Sequence, residues 1–157
     1  GDRVQLLTRP AHITDSLPQG QFDTIILNSV IQYFPHAGYL VQVIDNVMDL
    51  LAPGGSIFIG DVRNQALQRV FHTVVALSHI DGTAAIAEMR QRVRRAVLSE
   101  SELLLAPEFF TNWADRQPSA TGIDIRVKCG TADNELTRYR YDVVIHKTPT
   151  APESLAT

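Results

Sequence analysis

The chain has 157 residues, 45% of them apolar and 20% charged, which is enough material for one buried core and fits one domain or most of one. Its net charge of −3 argues against a general nucleic-acid binder, and its single cysteine, Cys129, excludes an intramolecular disulfide framework and a thiol-based zinc cluster. No apolar run approaches membrane-spanning length and the N-terminus lacks the layout of a signal peptide, so a reducing, cytoplasmic setting is the simplest expectation.

In chain order, Val4 to Leu7 reads as a short strand, and Thr8 to Gly20, with two prolines, as a loop. Phe22 to Leu27 is nearly continuous and β-branched, which predicts a strand covered on both faces. Leu40, Val43, Ile44, Val47 and Leu51 follow helical spacing, and Pro53-Gly54-Gly55 is expected to stop that helix. Ser56 to Gly60 reads as a second buried strand ending at Asp61-Val62-Arg63. Asn64 suits the N-cap of a helix reaching about Ile80, with Leu67, Val70, Phe71, Val74 and Leu77 on one side.

Asp81-Gly82 predicts a turn, and Ile86, Met89, Val93 and Val97 mark another amphipathic helix. Ser99 and Glu102 have capping-box spacing for a short helix, and Pro107 can open one more, carrying Phe109, Phe110 and Trp113. Ile123 to Val127 and Tyr139 to Ile145 read as strands whose connection is too short for a helical crossover, so they should pair antiparallel. The tail from Thr148 to Thr157 reads as linker or disorder. The fold class is therefore α/β: parallel strands with helices, completed by a C-terminal antiparallel pair.

In an open parallel sheet, ligands bind just past the carboxyl ends of the strands. Two such ends are legible, Asn28 to Pro35 and Asp61 to Asn64. Polar residues there can meet a ligand. Equally, Asn28 and Asn64 can serve only as helix caps and Gln32 can be solvated.

The run FDTIILNSVIQYFP, followed by a helix and LLAPGGSIFIGDVRN, resembles the fourth- and fifth-strand motifs of class I S-adenosylmethionine-dependent methyltransferases. More narrowly it is similar to the methyltransferase domains embedded in nonribosomal peptide synthetases. Glu102-Leu103-Leu104 ahead of Pro107-Glu108-Phe109-Phe110, and Asn134 to Val144, extend the resemblance from about Val4 to His146. It implies a partial Rossmann-like sheet over residues 1–147, starting near the family's third strand, with 148–157 as tail. The family's glycine-rich loop and its acidic ribose-binding residue have no counterpart in this sequence.

The resemblance implies roles residue by residue. Ala11, His12 and Ile13 would lie near the adenine, and Asn28 and Ser29 near the methionine part of S-adenosylmethionine. Gln32 and Tyr33 would face the transferred methyl group, Tyr33 by a cation–π contact with the sulfonium. Asp61 and Arg63 would shape the acceptor side, where Glu135 could act electrostatically, and Asn28, Gln32, Tyr33 or, from across the site, His72 would accept a hydrogen bond from the acceptor amine. The bland alternatives are a surface histidine for His12 and for His72, core packing for Tyr33, a surface ion pair for Asp61 and Arg63, and a loop carboxylate for Glu135.

The expected function is N-methylation of the α-amine of an aminoacyl thioester, held on the phosphopantetheine of a peptidyl carrier protein beside an adenylation domain. Alternatives are O- or C-methylation in a related assembly line, and a non-catalytic structural or interaction remnant. A nicotinamide-binding Rossmann domain fits the two strand ends and the terminal hairpin poorly. Arg90, Arg92, Arg94 and Arg95 form the one clear basic cluster, either a solvated helix face or a dock for an acidic carrier protein. Because the principal cofactor anchors are absent from the sequence, this polypeptide should bind S-adenosylmethionine weakly or not at all in calorimetry. An N-terminal extension should restore binding, whereas tight binding by the polypeptide itself would contradict the expectation.

Overall fold

The computed structural model describes residues 4–79 and 86–149. One mixed sheet organises them. Its strands are β1 (Phe22–Asn28), β2 (Leu51–Arg63), β3 (Ala120–Val127) and β4 (Arg140–Lys147), in the order β1-β2-β4-β3. β1 and β2 are parallel, as a helical crossover requires, and β4 runs antiparallel to both β2 and β3. The C-terminal ends of β1, β2 and β3 therefore lie at the same end of the sheet as the start of β4.

The crossover is α1 (Ala37–Leu50), whose buried positions Leu40, Val43, Ile44, Val47 and Met48 recur at helical spacing. His36 caps it by accepting from the Tyr39 N–H at 3.0 Å. At its other end Lys147 Nζ donates to the carbonyls of Met48 and Leu51, each at 2.7 Å, so β4 satisfies orphan acceptors of α1. A second helix, α4 (Glu108–Ala114), sets Phe110 and Trp113 into the same core against Tyr141, Val143 and Ile145 of β4. Asp45 of α1 accepts from Trp113 Nε1 at 2.9 Å and from Gln117 Nε2 at 2.8 Å, tying the two helices together.

Away from the sheet, α2 (Gln68–Ser78) packs on α3 (Ile86–Leu98), and α5 (Glu135–Tyr139) precedes β4. Val70, Val74 and Leu77 on α2 remain exposed, so the apolar stripe read from the sequence is only partly covered among the described residues.

Several expectations need correction. Val4 to Leu7 forms no strand; the run is exposed and pairs with no strand among the described residues. β1 is a strand, but only Phe22, Ile25 and Leu27 pack towards the core, while Ile26 is 65% exposed on the opposite face. α1 ends at Leu50 and β2 begins at once with the fully buried Leu51, so Pro53-Gly54-Gly55 falls inside the strand instead of terminating the helix. Asn64 caps a 3-10 turn, Gln65–Leu67, by accepting from Ala66 N at 3.0 Å, and α2 follows it.

No helix follows Ser99. Its hydroxyl bonds back to the Ala96 carbonyl and Glu102 is drawn to Arg63, which leaves no capping box. The connection before β4 holds the five-residue α5, capped by Asn134, which the spacing argument did not foresee. Thr148, assigned to the tail, is bonded to Ser119 and Gly54. The Asp81-Gly82 turn and the tail from residue 150 onward lie outside the described residues.

Replacing Asp45 with Ala should orphan the Trp113 indole N–H and cost about 1–3 kcal/mol in urea unfolding. An exposed change on α3, Arg92→Gln, should stay within about 0.5 kcal/mol. Equal effects from the two would show that the α1–α4 tie contributes nothing.

Candidate functional site

The end of the sheet where β1, β2 and β3 finish carries two non-glycine residues in the left-handed region, Ser29 (φ 57°) and Asp61 (φ 63°). Such backbone costs free energy and persists only where its surroundings enforce it. At β2 the enforcement is visible. The β2–β4 register shifts between Ile59 and Val62, and the N–H of Asp61 is taken up by Asp142 Oδ1 at 2.9 Å. At β1, Ser29 N donates to the Gly60 carbonyl at 3.2 Å.

The side chains complete the link. Asp61 is 5% exposed, accepts from the Ser29 hydroxyl on one side and pairs with Lys128 on the other. Burial opposes ionisation of this carboxyl, yet Lys128 and Ser29 together hold it below the usual carboxylate range. Since its folded value is depressed, the pairing stabilises the fold above the unfolded pKa of about 3.9 and is lost only as pH falls further. Asn28 lies over Gly60, its register partner; a Cβ on Gly60 would collide with Asn28 Oδ1, so glycine is required for that placement.

Gln32 sits in a 3-10 turn immediately after this tip and is 3% exposed. Its Nε2 donates to the Ser29 carbonyl at 3.1 Å, while its Oε1 has no partner among the described residues. A buried acceptor without a donor is costly, and a ligand N–H or O–H would relieve it. Tyr33, next in the turn, is 73% exposed and contacts no other ring among the described residues. The core-packing alternative for Tyr33 therefore fails.

A second cluster adjoins β2. Arg63 is 8% exposed and its Nη1 lies 2.9 Å from both Glu100 and Glu102. The guanidinium also lies over the Phe71 ring, 5.3 Å from its centroid. His72 Nε2 is 3.3 Å from Glu100, outside hydrogen-bond geometry. Burial raises Glu100, but the Glu102 N–H, Arg63 and His72 outweigh it and leave the carboxyl below its usual range. These are not the loose surface pairs that the bland reading supposed. A polar cavity of about 260 Å³ opens here, bounded by Gln65, Gln68, Glu100, Glu102 and Phe34.

The remaining sequence-named residues fall in two places. Glu135 bonds Arg140 at 2.8 Å, and Arg140 is the register partner of Arg63, so Glu135 joins this end of the sheet. His12 and Ala11 lie beside α1 and the edge of β1. His12 meets the Tyr39 hydroxyl at 3.0 Å, and Asn46 donates to its carbonyl at 2.6 Å. Ala11 lines a separate, mostly apolar cavity of about 370 Å³ with Ile13, Leu17, Thr24 and Ile25 at the outer edge of β1. Sequence reasoning passed over Lys128, Asp142 and Glu100. The strand-end rule applied to β3, which runs parallel to β2, would have found Lys128 directly after Val127. Among the described residues no three His, Cys, Asp or Glu side chains converge to hold a metal ion.

No family model matches the chain. It is 49% identical over 151 residues to the probable nonribosomal peptide synthetase CymA of Salinispora arenicola, covering 96% of this chain and 2% of that protein. It is 44% identical over 142 residues to chondramide synthase of Chondromyces crocatus, covering 90% of this chain and 4% of that protein. The chain thus spans only a few per cent of the length of the curated relatives it matches. Among solved structures, the N-methyltransferase NodS of Bradyrhizobium japonicum, in complex with S-adenosyl-L-homocysteine, aligns with TM-score 0.51 at 15% identity. That alignment covers 89% of this chain and 52% of NodS. A SAM-dependent methyltransferase from Archaeoglobus fulgidus aligns with TM-score 0.53 at 11% identity, over 92% of this chain and 68% of its own length. At such identities the structures establish the fold, and the synthetases establish the kinship. On the two together, the chain belongs to the class I methyltransferase-fold segments embedded in nonribosomal peptide synthetases.

Proposed function

We propose that this chain is the acceptor-facing part of a domain that transfers a methyl group from S-adenosylmethionine to the α-amine of an aminoacyl thioester. The thioester is carried by a peptidyl carrier protein, beside an adenylation domain, in a cytoplasmic synthetase. The observation that carries the reading is Gln32: a buried amide oxygen with no donor, at the tip of a sheet of methyltransferase fold.

The residues at the tip fit one end of the cofactor. Asn28 and Ser29 offer polar atoms where its methionine part would be held, and Tyr33 offers an exposed ring face to a cation. When bound, S-adenosylmethionine supplies an electrophilic methyl group on a cationic sulfur. Gln32 Oε1 accepts an N–H from the amine and turns the nitrogen lone pair towards the methyl, one hydrogen bond's share of the positioning by which a whole site can supply on the order of 7–11 kcal/mol in favourable cases.

The choice of nitrogen over carbon or oxygen is supported by how the acidic groups here are employed. Asp61 is held by Lys128 and Ser29, Asp142 by the Asp61 N–H, and Glu100 and Glu102 by Arg63, while His72, 3.3 Å from Glu100 without a hydrogen bond, offers at most the weak base of an imidazole. An acceptor that must be deprotonated by a strong base is poorly served. An α-amine, titrating at about 7.7–8.0, is partly neutral near pH 7 and needs none.

The test is tandem mass spectrometry of a carrier-loaded amino acid incubated with the parent domain and cofactor: one methyl group should appear on the α-nitrogen, and a methyl on oxygen or carbon would refute the reading. Gln32→Leu should slow transfer about 10–100-fold with the fold intact, the cost of one hydrogen bond to a group gaining charge. Transfer should accelerate with pH and level off above about 8, with no inflection from Asp61, which stays ionised throughout. A profile independent of pH between about 6 and 8 would count against an amine acceptor. Lys128→Gln should release Asp61 and Ser29 and weaken cofactor binding about tenfold, measured as KM, while leaving the sheet folded.

A further inference from the structure

The seam between α2 and α3 encloses a cavity of about 640 Å³ lined by Arg69 of α2 and Arg90 and Arg94 of α3, with Ala87, Val93 and Val97 as apolar wall. Among the described residues these three guanidinium groups form no ion pair, whereas Arg92, on the same helix, is bonded to Glu88 at 2.7 Å and does not line the cavity. Among the described residues no carboxylate lines it either. Three like charges brought into one concavity repel each other, and in a chain of net charge −3 this is not a by-product of general basicity. The planar, five-donor fork of arginine matches a phosphate group, and several forks converging on one point favour a dianion or diester over a single carboxylate.

We propose that this cavity is a phosphate-ester site. Its position relates it to the strand ends. Val97 walls both this cavity and the polar one beside Glu100 and Glu102, and Gln68, the neighbour of Arg69, donates to the Val97 carbonyl at 3.3 Å. A ligand anchored by its phosphate at the arginines therefore has a course along the seam towards the acidic groups and Gln65, next to the tip of β2. In the tethered-substrate reading above, on which this last step rests, the ester is the phosphate of the pantetheine arm. The phosphate site itself stands on the arginines alone.

The experiment is calorimetric titration of the full chain at low salt with inorganic phosphate, 4′-phosphopantetheine and pantetheine lacking the phosphate. Phosphate and phosphopantetheine should bind saturably and pantetheine should not. The Arg69→Gln/Arg94→Gln variant should weaken binding about tenfold or more, Arg94→Lys should fall between it and the unaltered chain, and Arg92→Gln should leave binding unchanged. Circular dichroism of each variant separates loss of the site from loss of fold. Absence of saturable binding, binding of pantetheine equal to that of phosphopantetheine, or an equal loss in Arg92→Gln would overturn the site. Saturable phosphate binding with no methylation of any carrier-loaded amino acid would support the site while the N-methylation reading failed.

Discussion

A carboxylate taken out of water has to be compensated, and the contacts of Asp61 connect its own strand, β2, to the other three strands of this sheet. Its side chain takes a proton donor from Ser29 at the tip of β1 and a cation from Lys128 just past β3, while its backbone N–H goes to Asp142 of β4. Ser29 and Asp61 both adopt left-handed backbone, which other residues of their size avoid. The pairing stabilises what the backbone conformation costs, and it fixes where Asn28, Gln32 and the start of the α2 segment can be. The polar end of the sheet is in this sense built around one buried anion.

The consequence for chemistry is a division of labour. The charged groups at this end are occupied with one another, in the Asp61–Lys128 pair and in the Arg63–Glu100–Glu102 group. Three buried polar atoms here lack a hydrogen-bond partner among the described residues, Gln32 Oε1, His72 Nε2 and Arg140 Nε, and of these the one that can only accept is the amide oxygen of Gln32, backed by the exposed ring of Tyr33. A neutral hydrogen-bond acceptor suits orientation of a nucleophile that is already partly deprotonated, and is poorly suited to pulling a proton from an unactivated alcohol or carbon. Farther along α2 and α3, three arginines that form no ion pair among the described residues gather between the helices. Preorganised polarity at the tip and unpaired charge at a distance form the electrostatic signature of the chain.

Much of this was legible in the sequence, because the relevant signals are local. The β-branched run at Phe22 to Leu27, the spacing of Leu40, Val43, Ile44 and Val47, and the alternation in Tyr141, Val143 and Ile145 specify elements that the structure contains. The strand-end rule located Asn28, Ser29, Gln32, Asp61 and Arg63 at one end of the sheet. What escaped depends on pairing across distance. Glu100 acquires meaning only through a partner 37 residues away, with no local pattern to mark it, and Lys128, although it stands at a strand end, gains its role from a partner 67 residues away. The exposed face of β1 was misjudged for a related reason: Thr24-Ile25-Ile26 states that a strand is apolar on both sides, not that both sides find cover among the described residues. Glu102 was read as half of a capping box because Ser99 stands three residues before it, but a buried arginine is the stronger competitor for a carboxylate.

The account turns on Gln32 as the group that meets the acceptor. The most direct measurement is the side-chain amide resonance of Gln32, assigned in the isotope-labelled parent domain and followed as S-adenosylhomocysteine and an aminoacyl thioester are added together. The account predicts that this resonance shifts on addition of the amine-bearing thioester and not with an otherwise identical thioester lacking the amine. An unmoved Gln32 resonance, with the amine-dependent shifts confined to residues elsewhere on the sheet, would contradict it.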